Sequence, residues 1–171
     1  MRGYFLRHIA LAGHIALVVV LTLGCAGVNP PAPAPAPTTM YVRAPIDAAW
    51  TAAVQFFTDA GISINTSDKA SGLLAAKDFP MSAEQVGRWA DCGTLRRGGS
   101  AMKELQDWMG KGWARAQGDF GVSLRPTADS TAVRVTVGFR AETSGNPKYV
   151  PCVTSNVFER EMFEYIRAHA N

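Results

Sequence analysis

Histidine is nearly absent from this chain. Of 171 residues only His8, His14 and His169 carry an imidazole, and the first two fall in the N-terminal leader discussed below. A histidine-dependent triad, a Cys-His protease or a His-ligated zinc site would have to rely on His169, three residues from the C-terminus. The phosphate-cradling GxxxxGK[ST], the dinucleotide GxGxxG between strand and helix, and the zinc-binding HExxH are missing as well. Cysteine is scarce, with three residues, and there is no local CxxC. No apolar run reaches the roughly 20 residues of a bilayer span, and no basic cluster suggests a nucleic-acid face. These absences argue against enzyme classes built on histidine, metal or nucleotide. No cofactor or metal is expected, and the chain reads as a non-enzyme.

What is present begins at the N-terminus. Arg2 and Arg7 precede the apolar stretch Ile9 to Leu23, and no acidic residue occurs before Asp47. A basic start, a short apolar run and small residues at its end are the three parts of a secretory signal, residues 1–24. Thr22-Leu23-Gly24-Cys25 resembles the bacterial lipobox, with Thr where Leu is most usual. The resemblance implies that Cys25 becomes the first mature residue and carries lipid. By the same sorting pattern, Ala26 after the cysteine implies the outer membrane, periplasmic face. The alternative is an ordinary signal peptide that leaves a free thiol. Removing Arg2 and Arg7 with the leader leaves 15 basic against 14 acidic side chains, net +1 instead of the +3 of the whole chain. Asn29 to Pro37 (NPPAPAPAP) favours extended polyproline II and spans roughly 25 Å. Residues 25–38 therefore read as a lipidated N-terminus and a stalk that holds a domain off the membrane.

Residues 39–171 suffice for one domain with a real core. Met40 to Arg43 reads as a strand, followed by a helix from Ile46 to Ala60 with Ile46, Ala49, Trp50, Ala53, Val54 and Phe57 on one face and Phe56 off it. Ile62 to Asn65 alternates like a strand, Thr66 to Gly72 as a turn, and Leu73 to Phe79 as the returning partner, ended by Pro80. Ser82 with Gln85 forms a capping-box pattern for a helix through Trp89, and a second short helix is expected over Ala101 to Met109. Phe120, Val122 and Leu124, then Val133, Val135, Val137 and Phe139, alternate with polar residues on either side of a turn at Thr127 to Ser130. This predicts a long antiparallel hairpin with Leu124 opposite Val133. A last helix runs from about Ser155 to Ala168. The order β-α-β-β-loop-β-β-α gives an α+β domain, with a long N-terminal and a long C-terminal helix on one face of an antiparallel sheet.

Cys92 and Cys152 are left once Cys25 is assigned to lipid. An even pair in an exported chain reads as a disulfide, with two buried thiols or a redox pair as alternatives. Asp78, Asp91, Asp119 and Glu142 are the carboxylates a histidine-free hydrolase would draw on. The simplest role of Asp119 and Glu142 is a charged wet face of the hairpin beside Arg115, Arg125, Arg134 and Arg140. The segment Cys92 to Trp113 breaks the rhythm of the domain. There Arg96 and Arg97 with Trp108 or Trp113 form a candidate partner surface of the arginine-aromatic kind enriched at binding hot spots. The alternative is a small helix packed on the sheet through Met102, Leu105 and Met109.

The runs Ala44-Pro45-Ile46-Asp47-Ala48-Ala49-Trp50, Gly61-Ile62-Ser63-Ile64 and Ala70-Ser71-Gly72-Leu73-Leu74 resemble proteobacterial BamC-like lipoproteins. Ala90-Asp91-Cys92-Gly93, and Cys152 near Phe158-Glu159-Arg160-Glu161, are similar to features of their uncharacterised relatives. The resemblance implies a helix-grip domain, outer-membrane anchoring and a non-enzymatic role as an accessory to envelope assembly. The protein that gives the family its name carries two such domains after a long partner-binding segment, whereas this chain reads as one domain after a short stalk. That protein's specific partner is therefore not carried over. The function expected is a lipid-anchored envelope protein, in contact with the membrane through Cys25, with a protein partner and no nucleic acid. A periplasmic binder of a small hydrophobic ligand is the alternative, and a histidine-free hydrolase the remote one.

Overall fold

The computed structural model describes residues 27–32, 39–96, 98–145 and 148–170. Its backbone is the hairpin of β7 (Ala114–Pro126) and β8 (Thr131–Thr143), paired from Ala114 opposite Thr143 to Pro126 opposite Thr131. Leu124 stands opposite Val133, as the alternation of the two strands requires if both apolar sets are to share a face. Thr127 closes the turn, its N–H and hydroxyl both donating to the Ser130 carbonyl at 2.8 Å. On the far side of β7 lie β4 (Leu73–Met81) and then β3 (Thr66–Asp68). On the far side of β8 lie β2 (Thr39–Val42), near the turn, and β9 (Tyr149–Val150), near the open end. All these pairings are antiparallel. Two small ladders stand apart, β1 (Val28–Asn29) with β6 (Thr94–Leu95), and β5 (Ala90–Asp91) with β10 (Val153–Thr154).

Among the described residues there are four helices: α1 (Ile46–Asp59), α2 (Ala83–Trp89), α3 (Ala101–Gly110) and α4 (Val157–His169). With the antiparallel sheet they make an α+β domain. Ser82 forms a true capping box at α2, its hydroxyl accepting from the Gln85 N–H while the Gln85 side chain accepts from the Ser82 N–H. Phe158 on α4 is the hub of the core. Its ring meets Phe120 of the sheet at 4.5 Å, Trp89 of α2 at 5.2 Å, Phe56 at 5.4 Å and Phe57 at 6.3 Å. Edge-on and tilted contacts of this kind are the favoured aromatic geometry. Thr131, the one fully buried polar side chain among the described residues, donates its hydroxyl to the Ala44 carbonyl at 2.8 Å.

The structure corrects the sequence reading at four places. Ile62 to Ile64 is not a strand. Ile62 is buried in an extended connection, and the ladder starts only at Thr66, opposite Ala75. The alternation there reports burial without pairing. Phe56 is buried because α1 and α4 pack together, so α1 covers two flanks instead of one stripe. Pro80 does not end β4, which continues to Met81. By that point β3 has finished, and proline is tolerated on an edge. Lastly, the stalk is not free of the domain from its start, since Val28 and Asn29 form β1.

Candidate functional site

The segment from Cys92 to Trp113 is the irregular part of the fold, and its geometry follows from a few local bonds. Cys92 is buried and bonded to Cys152, with the two Cα atoms 4.0 Å apart. The Asp91 carboxylate accepts the Gly93 N–H at 2.8 Å and turns the chain into β6. The loop closes through Leu95 N–H to the Gly99 carbonyl and Ala101 N–H to the Gly93 carbonyl. Ser100 then caps α3, its hydroxyl accepting from the Lys103 N–H at 3.2 Å.

Helical spacing decides which side chains of α3 face inward. Ala101 and Leu105 are buried, and Met102, Trp108 and Met109 pack half-buried against the core. Trp108 is thus committed largely to packing, one turn on from Leu105. Gln106 ties the helix to α2 by donating to the Ala83 carbonyl at 2.8 Å. Trp113 behaves differently. Its ring is 56 % exposed, with the Lys111 ammonium 5.3 Å from the ring centroid. Arg96 is exposed on the loop before α3, and Arg97 lies outside the described residues, as does Cys25. Of the predicted patch, Trp108 is half-buried against the core while Arg96 and Trp113 are exposed, and the cation beside the exposed tryptophan is Lys111.

A second pair of the same kind escaped the sequence reading. Tyr149 is 60 % exposed, with the Lys148 ammonium 5.6 Å from its ring. The two pairs flank the open end of the hairpin. Ala114 pairs with Thr143, Glu142 with Tyr149, and the Ser144 N–H donates to the Trp113 carbonyl at 2.7 Å. The signal in the sequence was a lysine within two residues of an aromatic one, in Lys111-Gly112-Trp113 and Lys148-Tyr149.

Three of the carboxylates that a hydrolase would draw on, Asp78, Asp91 and Asp119, are tied into structural bonds. Asp78 and Asp119 both engage the Arg140 guanidinium, and Asp119 also accepts the Asp78 N–H at 2.8 Å. Together they hold a bulge between Ala76 and Phe79, where Asp78 takes a left-handed φ of 53°. Glu142 stands opposite Arg115, and Asp91 serves the Gly93 turn. His169 stacks on Tyr165 at 4.0 Å. Tyr165 donates its hydroxyl to Asp59, which also accepts from the Gln55 amide. These two bonds hold the Asp59 carboxyl below its ordinary range, and the Asp59 acceptor pushes the Tyr165 phenol up. The Ser71 hydroxyl and N–H likewise lower Asp68. Among the described residues no group of three His, Cys, Asp or Glu could hold a metal ion.

Between sheet and helices the volume is filled by Phe57, Phe120, Phe158, Leu74, Leu124, Met162 and Ile166, each under 2 % exposed. Two surface grooves are shallow and partly polar. One of about 370 Å³ lies between Arg43–Ile46 and the 126–130 turn, and one of about 180 Å³ between Thr39, Ser123, Arg125, Ala132 and Arg134. No protein-family model matches the chain, and no curated protein matches it.

Proposed function

We propose that this chain is an outer-membrane lipoprotein, lipid-anchored through Cys25, whose single periplasmic domain is a non-enzymatic interaction or structural module of the envelope. The observation that carries this reading is the filled core combined with large aromatics exposed at the open end of the hairpin. A domain that gripped a hydrophobic ligand between sheet and helix would need apolar space there, and Phe57, Phe120 and Phe158 take it up. Exposed Trp113 and Tyr149 instead offer a surface for another component. Asp78, Asp91, Asp119 and His169 are engaged in local bonds that serve packing and turns, which disfavours a hydrolase built on them. Packing of α1 and α4 on each other, with Phe158 against Phe120, supports the finer helix-grip arrangement and the likeness to BamC-like lipoproteins. Among the described residues no helix is long and apolar enough to cross a membrane. In this reading the anchor is the acyl chains on Cys25. The test is Cys25→Ser. Unprocessed protein, or release of the domain to the soluble fraction, is expected. A variant still membrane-bound after signal cleavage would overturn the assignment.

A further inference from the structure

Gly27 to Asn29 are docked on the domain. Val28 pairs with Leu95 and Asn29 with Thr94, and the Arg96 N–H donates to the Gly27 carbonyl at 2.8 Å. The fit depends on Gly93, whose φ is +71° and whose missing side chain leaves room for the backbone of Asn29 to Pro31. A Cβ at Gly93 would overlap the Asn29 carbonyl oxygen. The receiving loop is fixed in turn by the Cys92–Cys152 bond. A Pro-Ala run that begins on the domain surface does not lift the domain by its full length.

The consequence concerns distance. Cys25 lies two residues before Gly27, and two residues reach at most about 7 Å. Lipid on Cys25 would therefore enter the bilayer beside the Arg96 loop and bring the neighbouring surface to the lipid headgroups. The two lysine-aromatic pairs are linked to that loop through the disulfide and the chain around it. Tyr149 is three residues from Cys152, the disulfide partner of Cys92, and Trp113 is joined to the adjoining loop by the Ser144 bond. Among the described residues the other large exposed apolar side chains, Met40, Tyr41 and Leu73, sit toward the turn end of the hairpin, about 30 Å away along the strands. Tryptophan and tyrosine are the side chains that settle at a membrane–water boundary, and a lysine beside each can reach lipid phosphate while its stem lies along the ring.

We propose that the Gly27–Pro31 segment is a clip that holds the open end of the β7–β8 hairpin against the membrane, with Trp113 and Tyr149 seated among lipid headgroups and Lys111 and Lys148 on their phosphates. This rests on lipid at Cys25. The test takes the full chain, processed in cells, into vesicles of phosphatidylethanolamine and phosphatidylglycerol with brominated acyl chains. Quenching of tryptophan emission is expected, with loss of the quenched component in Trp113→Phe, while buried Trp50 and Trp89 do not contribute. Inserting about 20 Gly and Ser residues between Ala26 and Gly27 should also abolish it, by freeing the anchor from the clip. Equal quenching in wild type and Trp113→Phe, or quenching unchanged by the insertion, would overturn the proposal. So would Trp113 open to aqueous iodide in the vesicles, which would leave this face to a protein partner. Mass measurement of the N-terminal peptide separates the two ideas. An unmodified Cys25 sinks the lipoprotein reading and the clip together, whereas lipidated protein with unquenched Trp113 sinks the clip alone.

Discussion

Asp59 and Tyr165 stand 106 positions apart in the chain and share a hydrogen bond on the surface between α1 and α4. The bond favours ionised Asp59 and protonated Tyr165, so its contribution has two pH limits. Asp59 is held below its ordinary value of 3.8, and the stability it adds is present above that value and lost as pH falls through the lowered one. Tyr165 is pushed above its ordinary 10.0, and its share is present below that value and lost as pH rises through the raised one. Tyr165→Phe keeps the ring packed on Phe56 and removes only the hydroxyl. The melting temperature of the variant should lie below that of wild type by a constant margin near neutral pH. The margin should close at both extremes. A difference independent of pH from about 3 to 11 would show that the bond does not form in solution.

At the scale of elements, two glycines with the same backbone conformation separate strain from steric fit. Gly61 has φ +68° and open space where a Cβ would be. Gly72 has φ +69°, but a Cβ there would overlap the Leu124 carbonyl oxygen of the neighbouring strand, and its own carbonyl accepts the Leu124 N–H at 2.8 Å. Gly61→Ala should cost about 1 kcal/mol, the left-handed penalty alone. Gly72→Ala has to move backbone as well and should cost more than about 3 kcal/mol. Denaturant titration of both variants checks this, and equal losses would place the Gly72 contact elsewhere. Elements like these differ in how legible they were. The Ser82 and Gln85 capping box and the β7–β8 register could be read directly, because capping and alternation are written within a few residues. Phe56 was misread because its burial depends on α4, a hundred residues away. The β1–β6 ladder was invisible, since two residues carry no periodicity and Pro-rich composition argues for a free stalk. Trp113 was legible as a large aromatic in an irregular segment. Its pairing with Lys111, and the matching Tyr149, depended on where the hairpin ends meet.

For the molecule as a whole, the aromatic hub and the disulfide do different work. Phe158 joins α1, α2 and the sheet in one cluster, so the domain should unfold in a single transition. The disulfide ties the loop before α3 to the chain just ahead of α4, across a separation of 60 residues that contains the whole β7–β8 hairpin. Constraining a loop of that length lowers the entropy of the unfolded chain and stabilises the fold by about 4 kcal/mol. In a domain of this size, that is a fall in melting temperature of about 10–15 °C on reduction. Cys92→Ala with Cys152→Ala should melt at the reduced temperature and be indifferent to reductant. Alanine is preferred to serine because Cys92 is fully buried and a hydroxyl there would lack a partner. Wild type whose melting temperature does not move on reduction would mean that the two thiols are not bonded in solution. A second, earlier transition appearing on reduction would mean that the bond is what joins the 92–113 segment to the hub, with α3 held to the sheet by a covalent tie more than by Leu105 and Trp108.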